Sequence, residues 1–392
     1  MFDHLPKETC TGCSACASVC PKNCIQMLPD GEGFLRPAVD ENACISCGLC
    51  EKQCPVLHTP PAPQSESAAY AAAFQEEPVR MESTSGGVFT ALSRWVFRKK
   101  GVVFGAAYDE DFSVFHCAAE NEQELSRLRT AKYAQSRLDC TFQQVKDNLL
   151  RDRYVLFSGT PCQTAGLRAY LQKNFEKLIL VDVICHGVPS PQIWQTYIRF
   201  RLQQDAPHST LRSINLRSKE TGWPNYSIRF EYEDGTVYSK KNNEDPFLRA
   251  FVGDLCLRPS CYDCRFKGIS RNSDFTLADY WGIWSQLPEY DDGKGTSLVL
   301  VHSEKARHIW SELSDKLRFQ AVEPAQSVRD NPSAVSSSPK PENRSAFMEH
   351  CAEEDFLSLV TELLPVPIPP PAPSLFKRGV RKINRILKQI LS

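Results

Sequence analysis

Cys10, Cys13, Cys16 and Cys20, followed by Pro21, spell C-x2-C-x2-C-x3-C-P, and Cys44, Cys47, Cys50 and Cys54, followed by Pro55, spell it again 34 residues later. In such a run three closely spaced thiolates wrap one 4Fe-4S cube and the fourth crosses to the other cube. The spacing therefore assigns one cluster to Cys10, Cys13, Cys16 and Cys54, and the other to Cys44, Cys47, Cys50 and Cys20. Zinc is the alternative for thiols in C-x2-C pairs. A third cysteine at the same spacing and a fourth before proline, both repeated, favour iron and sulfide. Cys24 stands outside both repeats and reads as a small buried hydrophobe. Two clusters that share ligands make an electron wire with no open coordination position, so any substrate chemistry must lie further along the chain.

Composition narrows the setting. Nine of the 17 cysteines fall in the first 54 of 392 residues, and an odd total in a reducing compartment points to metal ligation rather than disulfides. The 46 basic and 47 acidic residues leave a net charge of -1, which gives no chain-wide field for nucleic acid. The opening MFDHLPKETC has neither the basic nor the apolar stretch of a signal peptide, and no run of 18 apolar residues follows. The expectation is a cytoplasmic protein.

The elements that must position the chemistry follow a Pro/Ser linker, residues 58–68. ESTSGGVFTALSRWVFRKKG reads as a glycine-containing turn opening a helix from about Val88 to Lys100, with Ser83, Thr84 and Ser85 as N-cap candidates. Gly86 and Gly87 would let a ligand approach the backbone, and a helix N-terminus suits phosphate. VVFGAAY and FSVFHCAA read as a hairpin, and 122–153 as a solvated helical surface. YVLFSGTPCQTAGLRAYL and LILVDVICHGVPSPQIW are strand–turn–helix units of a parallel layer, with Cys162, Cys185 and His186 at the carboxyl ends of the strands. SIRFEYEDGTVYSK is a second hairpin. Cys256, Cys261 and Cys264 then join Cys162 and Cys185 as five candidates for a third four-ligand site, with buried thiols or a structural zinc as the alternatives.

Several ordered motifs carry a family resemblance: SGGVFTAL, KYAQS (132–136), GTPCQ (159–163), CHGVPS (185–190), CYDC (261–264) and ADYWG (278–282). Over about residues 69–320 the chain resembles the beta subunits of deazaflavin-dependent hydrogenases and formate dehydrogenases, a family that also holds chlorophyll-metabolism reductases. The resemblance implies an FAD beside a 4Fe-4S cluster ligated by Cys162, Cys185, Cys261 and Cys264, with Cys256 as a substitute. It places flavin contacts on Ser85, Gly86 and Gly87 and on Lys132, Tyr133, Gln135 and Ser136. No G-x-G-x-x-G fingerprint supports NAD. His186 is a candidate proton donor or cluster-tuning group, with a structural histidine as the alternative, and Asp279 shares that ambiguity.

The expected fold is an α/β flavin and iron–sulfur domain, a mixed or parallel sheet with helices, preceded by a small bacterial-ferredoxin-like α+β domain. The ferredoxin unit spans 1–57, the two parts of the flavin domain 69–150 and 151–330, and a polar, Pro-rich segment with a short helix 331–374. Residues 375–392 pattern as a basic amphipathic helix suited to an anionic membrane at the inner face, or to a partner. The expected activity is an oxidoreductase passing electrons between the clusters and FAD, and on to or from a small molecule or deazaflavin coenzyme. The alternative is an electron-transfer subunit with no substrate of its own, serving a partner enzyme.

Overall fold

The computed structural model describes residues 6, 8–59, 66–351 and 355–364. Most of the linker and the whole basic C-terminal helix expected at 375–392 lie outside them. Two short strands, β1 (Ile25–Pro29) and β2 (Leu35–Val39), form an antiparallel hairpin beside helices Ala15–Val19 and Leu49–Lys52. This is the compact ferredoxin-like unit.

The centre of the molecule is an eight-stranded mixed sheet. Its strands are β3 (Ala68–Phe74), β4 (Val102–Tyr108), β5 (Val114–Ala119), β6 (Val155–Gly159), β7 (Leu178–Val183), β11 (Phe275–Asp279), β12 (Ser297–Val301) and β13 (Leu317–Val322). A separate antiparallel sheet holds β8 (Leu211–Ser218), β9 (Ser227–Tyr232) and β10 (Val237–Lys241). The large sheet runs β13-β3-β12-β11-β7-β6-β4-β5; β4, β6, β7 and β11 are parallel neighbours and the outer pairs antiparallel. Buried runs such as Val155-Leu156-Phe157 and Leu178–Val181 are apolar on both faces, because helices cover both sides. Helices Val88–Arg98 and Glu304–Leu313 pack on one face, and Thr141–Leu150 and Pro161–Leu171 on the other.

Both expected hairpins form, as β4–β5 and β9–β10. Three expectations need correction. The stretch 122–153 is not one helical surface: Glu122–Leu128 and Thr141–Leu150 flank a partly buried loop that carries KYAQS. The segment after 331 holds two helices among its described residues, Arg344–His350 and Phe356–Leu363, whose Phe347, Phe356, Leu359 and Val360 enter the core. The helix at Val88–Arg98 is capped by Gly87, at φ 84°, and not by Ser83, Thr84 or Ser85. Gly86 serves the sheet: a Cβ there would stand 2.3 Å from the Ala72 carbonyl oxygen of β3 and 2.8 Å from the Ser297 amide of β12. Its own N–H donates to Ser297 Oγ at 2.9 Å.

Because those neighbours are mostly backbone, they cannot give way. Gly86→Ala should lower stability by about 1–3 kcal/mol, read as a reduced denaturation midpoint. A midpoint equal to wild type would show that the β3–β12 edge can part at no cost.

Candidate functional site

The thiols gather in the sets that the repeat spacing assigned. Cys10, Cys13, Cys16 and Cys54 line one small cavity in the ferredoxin unit. Cys20, Cys44, Cys47 and Cys50 line another, together with Cys24. Each set thus draws its fourth cysteine from the other repeat. Cys24 is buried with Ile25 and Cys50 in the small core of this unit, as expected, and its sulfur lies 3.3 Å from Cys20 Sγ. Cys47 and its neighbour Ile45, 58% exposed, put this outer set at the surface.

Cys162, Cys185, Cys261 and Cys264 form the third set. Each of the first three thiols is half-buried and feels the charge of others in the set: Cys162 that of Cys264, Cys185 that of Cys261, Cys162 and Cys264, and Cys261 that of Cys162 and Cys264. Cys162 sits in the first turn of Pro161–Leu171, a helix fixed by a reciprocal Thr160–Gln163 capping box. Cys185 follows β7. The loop after it pairs with 255–264, through Arg258 N–H to Val188 carbonyl at 2.9 Å and Ser190 N–H to Cys256 carbonyl at 3.1 Å. That pairing carries Cys261 to the strand ends. Cys256 itself turns into the core beside Cys351, outside the set.

Burial pushes Cys13 and Cys261 up to about 12 and raises Cys162 and Cys185 as well. Thiolates here need a positively charged centre to hold them. Among the described residues no three His, Cys, Asp or Glu groups converge as ligands of one metal ion; the thiols line cavity walls instead.

The inner and third sets meet. A Cβ on Gly166, in the helix that bears Cys162, would lie 3.0 Å from Cys13 Cβ and 3.1 Å from Cys13 Sγ. The ferredoxin unit is held there by buried side chains. Arg344 makes a two-pronged pair with Glu32 at 2.7 and 2.6 Å, and Gln135 Oε1 accepts from the Leu35 N–H at 2.8 Å.

Beyond the third set opens a cavity of about 650 Å³ at the carboxyl ends of β6, β7 and β11. Cys162, Cys185 and His186 line it, as do Ser85, Gly87, Lys132, Tyr133, Gln135 and Ser136. Gly86 does not, for the packing reason above. Ser85 Oγ is spent on the Thr296 carbonyl at 2.9 Å. Lys132 is half-buried, donates to the carbonyls of Arg127, Arg129 and Thr130, and is pushed down to about 7 by desolvation. Tyr133 stacks on Phe251 at 4.6 Å. His186 places Nε2 2.7 Å from Asp254 Oδ1 and Nδ1 3.3 Å from Ser333 Oγ. Asp279 pairs with the buried Arg217 at 2.7 Å, which fits the structural reading of that residue.

Sequence reasoning missed three residues here. Lys219, pushed down to about 7 by burial, donates to the carbonyls of Arg80, Ser85 and Lys294 and so ties the 83–87 loop to the cavity. Arg258 has a signal in its position between Cys256 and Cys261. His116, on β5, has none. Its Nδ1 accepts from the Ser136 hydroxyl at 2.6 Å and its Nε2 donates to the Ser158 carbonyl at 2.9 Å, beneath the cavity.

A ferredoxin-like unit with two four-thiol sets, packed on an α/β domain, defines an iron–sulfur electron-transfer protein. Residues 152–327 match the family model for the C terminus of the coenzyme F420 hydrogenase/dehydrogenase beta subunit, and 9–57 match the 4Fe-4S dicluster domain. The first match takes in the motifs from GTPCQ to ADYWG, and the second both four-cysteine runs, so this part of the chain is similar to that beta-subunit family and carries a dicluster unit in front. Its ferredoxin part is similar to Ferredoxin-1 of Caulobacter vibrioides (33% identical over 66 residues, 16% of this chain and 54% of that protein). It is also similar to Ferredoxin Fdx8 of Sorangium cellulosum (39% over 57 residues, 11% of this chain and 53% of that protein). The chain spans about half the length of these curated relatives. A chain of the F420-reducing [NiFe] hydrogenase complex from Methanosarcina barkeri aligns over 77% of this chain and 91% of its own, with 14% identity and a TM-score of 0.44. No helix among the described residues is long and apolar enough to cross a membrane.

Desolvation holds His116 down at about 4. Between that value and the ordinary 6.5, the unfolded chain takes up a proton that the folded one refuses, so stability falls as pH drops through this window. The loss from His116 should be on the order of 1 kcal/mol between about pH 7.5 and 5.5. His302, pushed down to about 3 by burial, adds to the same slope. His116→Gln should flatten part of the slope; a slope unchanged from wild type in denaturation at the two pH values would contradict the assignment.

Proposed function

We propose that this chain is an iron–sulfur flavoprotein oxidoreductase. Electrons pass between the exposed outer cluster (Cys20, Cys44, Cys47, Cys50), the inner cluster (Cys10, Cys13, Cys16, Cys54) and a third at Cys162, Cys185, Cys261 and Cys264. Beyond it lies an FAD that exchanges electrons with a small molecule or deazaflavin coenzyme. The observation that carries this reading is the order of the sites in space: the outer thiols reach solvent, the inner set abuts the third at Gly166, and the third borders the cavity.

The cavity fits a cofactor. Its size falls within the ~300–1,000 Å³ of small-molecule and cofactor sites, it opens where α/β sheets bind ligands, and it is walled by Tyr133, Phe251 and Trp281. Ser85, Gly87, Lys132, Tyr133 and Ser136 would hold the FAD, with Gln135 shared between cavity and ferredoxin unit. FAD supplies the exchange between single-electron and two-electron steps, which clusters alone lack. Lys132, desolvated but bound by three carbonyls, offers an ammonium at a fixed point of the wall. Lys219 and Ser85 keep the 83–87 loop in place, and His186 stands beside Asp254 at the cavity edge.

A second reading is favoured by the exposed Cys47 and Ile45: a subunit that receives or delivers electrons at that surface for a partner enzyme and turns over no small molecule itself. Stable co-purification with a second polypeptide, and no turnover alone, would select it.

Anaerobically prepared protein should contain about twelve irons, from three cubes of four, and one FAD per chain. Cys261→Ala should lose about four irons and leave the ferredoxin clusters, whereas Cys256→Ala should keep all of them. Protein unable to hold flavin would overturn the proposal, and equal iron loss in the two variants would misplace the third cluster.

A further inference from the structure

Arg258 is a guanidinium only 1% exposed, set between the ferredoxin unit and the α/β domain. Its Nε donates to the Cys10 carbonyl at 2.7 Å, and its two terminal nitrogens donate to Gln135 Oε1 at 3.0 Å and to the Leu35 carbonyl at 3.1 Å. The Phe34 ring lies 5.3 Å beneath it. All three acceptors are neutral oxygens. The charges that act on it are thiols that attract it, Cys10 of the inner set and Cys261 and Cys162 of the third, and the Arg36 guanidinium, which repels it.

Arginine keeps its proton in proteins, and a buried charge needs a counter-charge or costs several kcal/mol. Neutral carbonyls and one amide orient this cation without neutralising it. The compensating charge must come from the two thiolate sets on either side, and each electron added to a cluster deepens that negative charge. At low local dielectric the attraction is strong. No thiol of the outer set is among the charges that act on it, and that set reaches solvent at Cys47, where water and ions screen.

Resting on the cluster reading above, we propose that Arg258 is a positioning and redox-tuning residue shared by two clusters. Its buried charge holds the reduced forms of the inner and third clusters, and so raises both potentials together, leaving the outer cluster unaffected. The same side chain clasps the ferredoxin unit, which couples the tuning to the docking that brings the clusters together.

The test is an anaerobic redox titration of the full-length protein followed by electron paramagnetic resonance, with iron content and melting temperature measured on the same samples. In Arg258→Met the inner and third clusters should titrate at lower potential while the outer cluster holds its value, and Arg258→Lys should stay near wild type. Unmoved potentials, an equal shift of all three clusters, or a shift in Arg258→Lys as large as in Arg258→Met would overturn the role and leave a clasp only. If Arg258→Met does not assemble, Gln135→Glu carries the test. Its carboxylate would sit where the amide oxygen accepts from Arg258, offsetting the cation, and should lower the same two potentials; unchanged or raised values would overturn the proposal. About eight irons per wild-type chain would remove the third cluster, and the shared role with it. About twelve irons with unmoved potentials would overturn the role of Arg258 alone.

Discussion

The closeness of Gly166 to Cys13 is the constraint around which the molecule is arranged. A helix that begins with Thr160 and Pro161 must bring Cys162 to the ends of the strands and, one turn later, let the ferredoxin unit touch its backbone. Any side chain larger than hydrogen at 166 would push the inner thiols away from the third set. The rest of the interface serves that contact. Arg344 and Glu32, Gln135 and Leu35, and Arg258 with the Cys10 carbonyl are buried or half-buried polar contacts that hold one registration of the two units and leave unpaired groups in any other. A Pro/Ser linker in sequence suggests two bodies on a tether; the buried polar contacts make them one electron-transfer unit.

Much of this was legible because cluster chemistry leaves a local imprint. Two four-cysteine runs with a following proline imply two thiol sets with crossed fourth members, and the structure gathers Cys10, Cys13, Cys16 and Cys54 about one cavity and Cys20, Cys44, Cys47 and Cys50 about another. Strand–turn–helix units likewise announce a parallel layer, and Cys162 and Cys185 fall at its carboxyl ends as such a layer requires. Separating Cys256 from the third set was beyond the sequence. Five cysteines of one chemical type differ there only in which way a loop turns, and the pairing of 188–190 with 256–258 decides that.

The loop around Gly86 shows the opposite case, in which a correct motif carries more than one physical cause. Ser-Gly-Gly before a helix suits phosphate, yet Gly86 is glycine because β3 and β12 pass under it, and Gly87 because the cap needs a positive φ. Only Ser83, Thr84, Ser85 and Gly87 of that loop reach the cavity. Gln135 is similar: the KYAQS motif lines the cavity, but this side chain also holds Leu35. Single residues here serve both docking and site, and a spacing pattern cannot apportion them. His116 and Lys219 escaped for a simpler reason, since each is one polar residue among apolar or charged neighbours, and its importance comes only from what closes over it.

The thiols differ in their access to water: Cys47 is exposed, Cys13 and Cys54 are buried, and Cys162, Cys185 and Cys261 are half-buried. Desolvation disfavours added negative charge, so thiols withdrawn from water are harder to ionise and harder to load with further negative charge. Such a site needs positive charge beside it. Lys267, donating to the Cys185 carbonyl at 2.6 Å, and Arg258, whose Nε donates to the Cys10 carbonyl, stand there. The fold therefore sets cations against the cost of its desolvated thiols, and the lower local dielectric that raises that cost also strengthens the cations' effect.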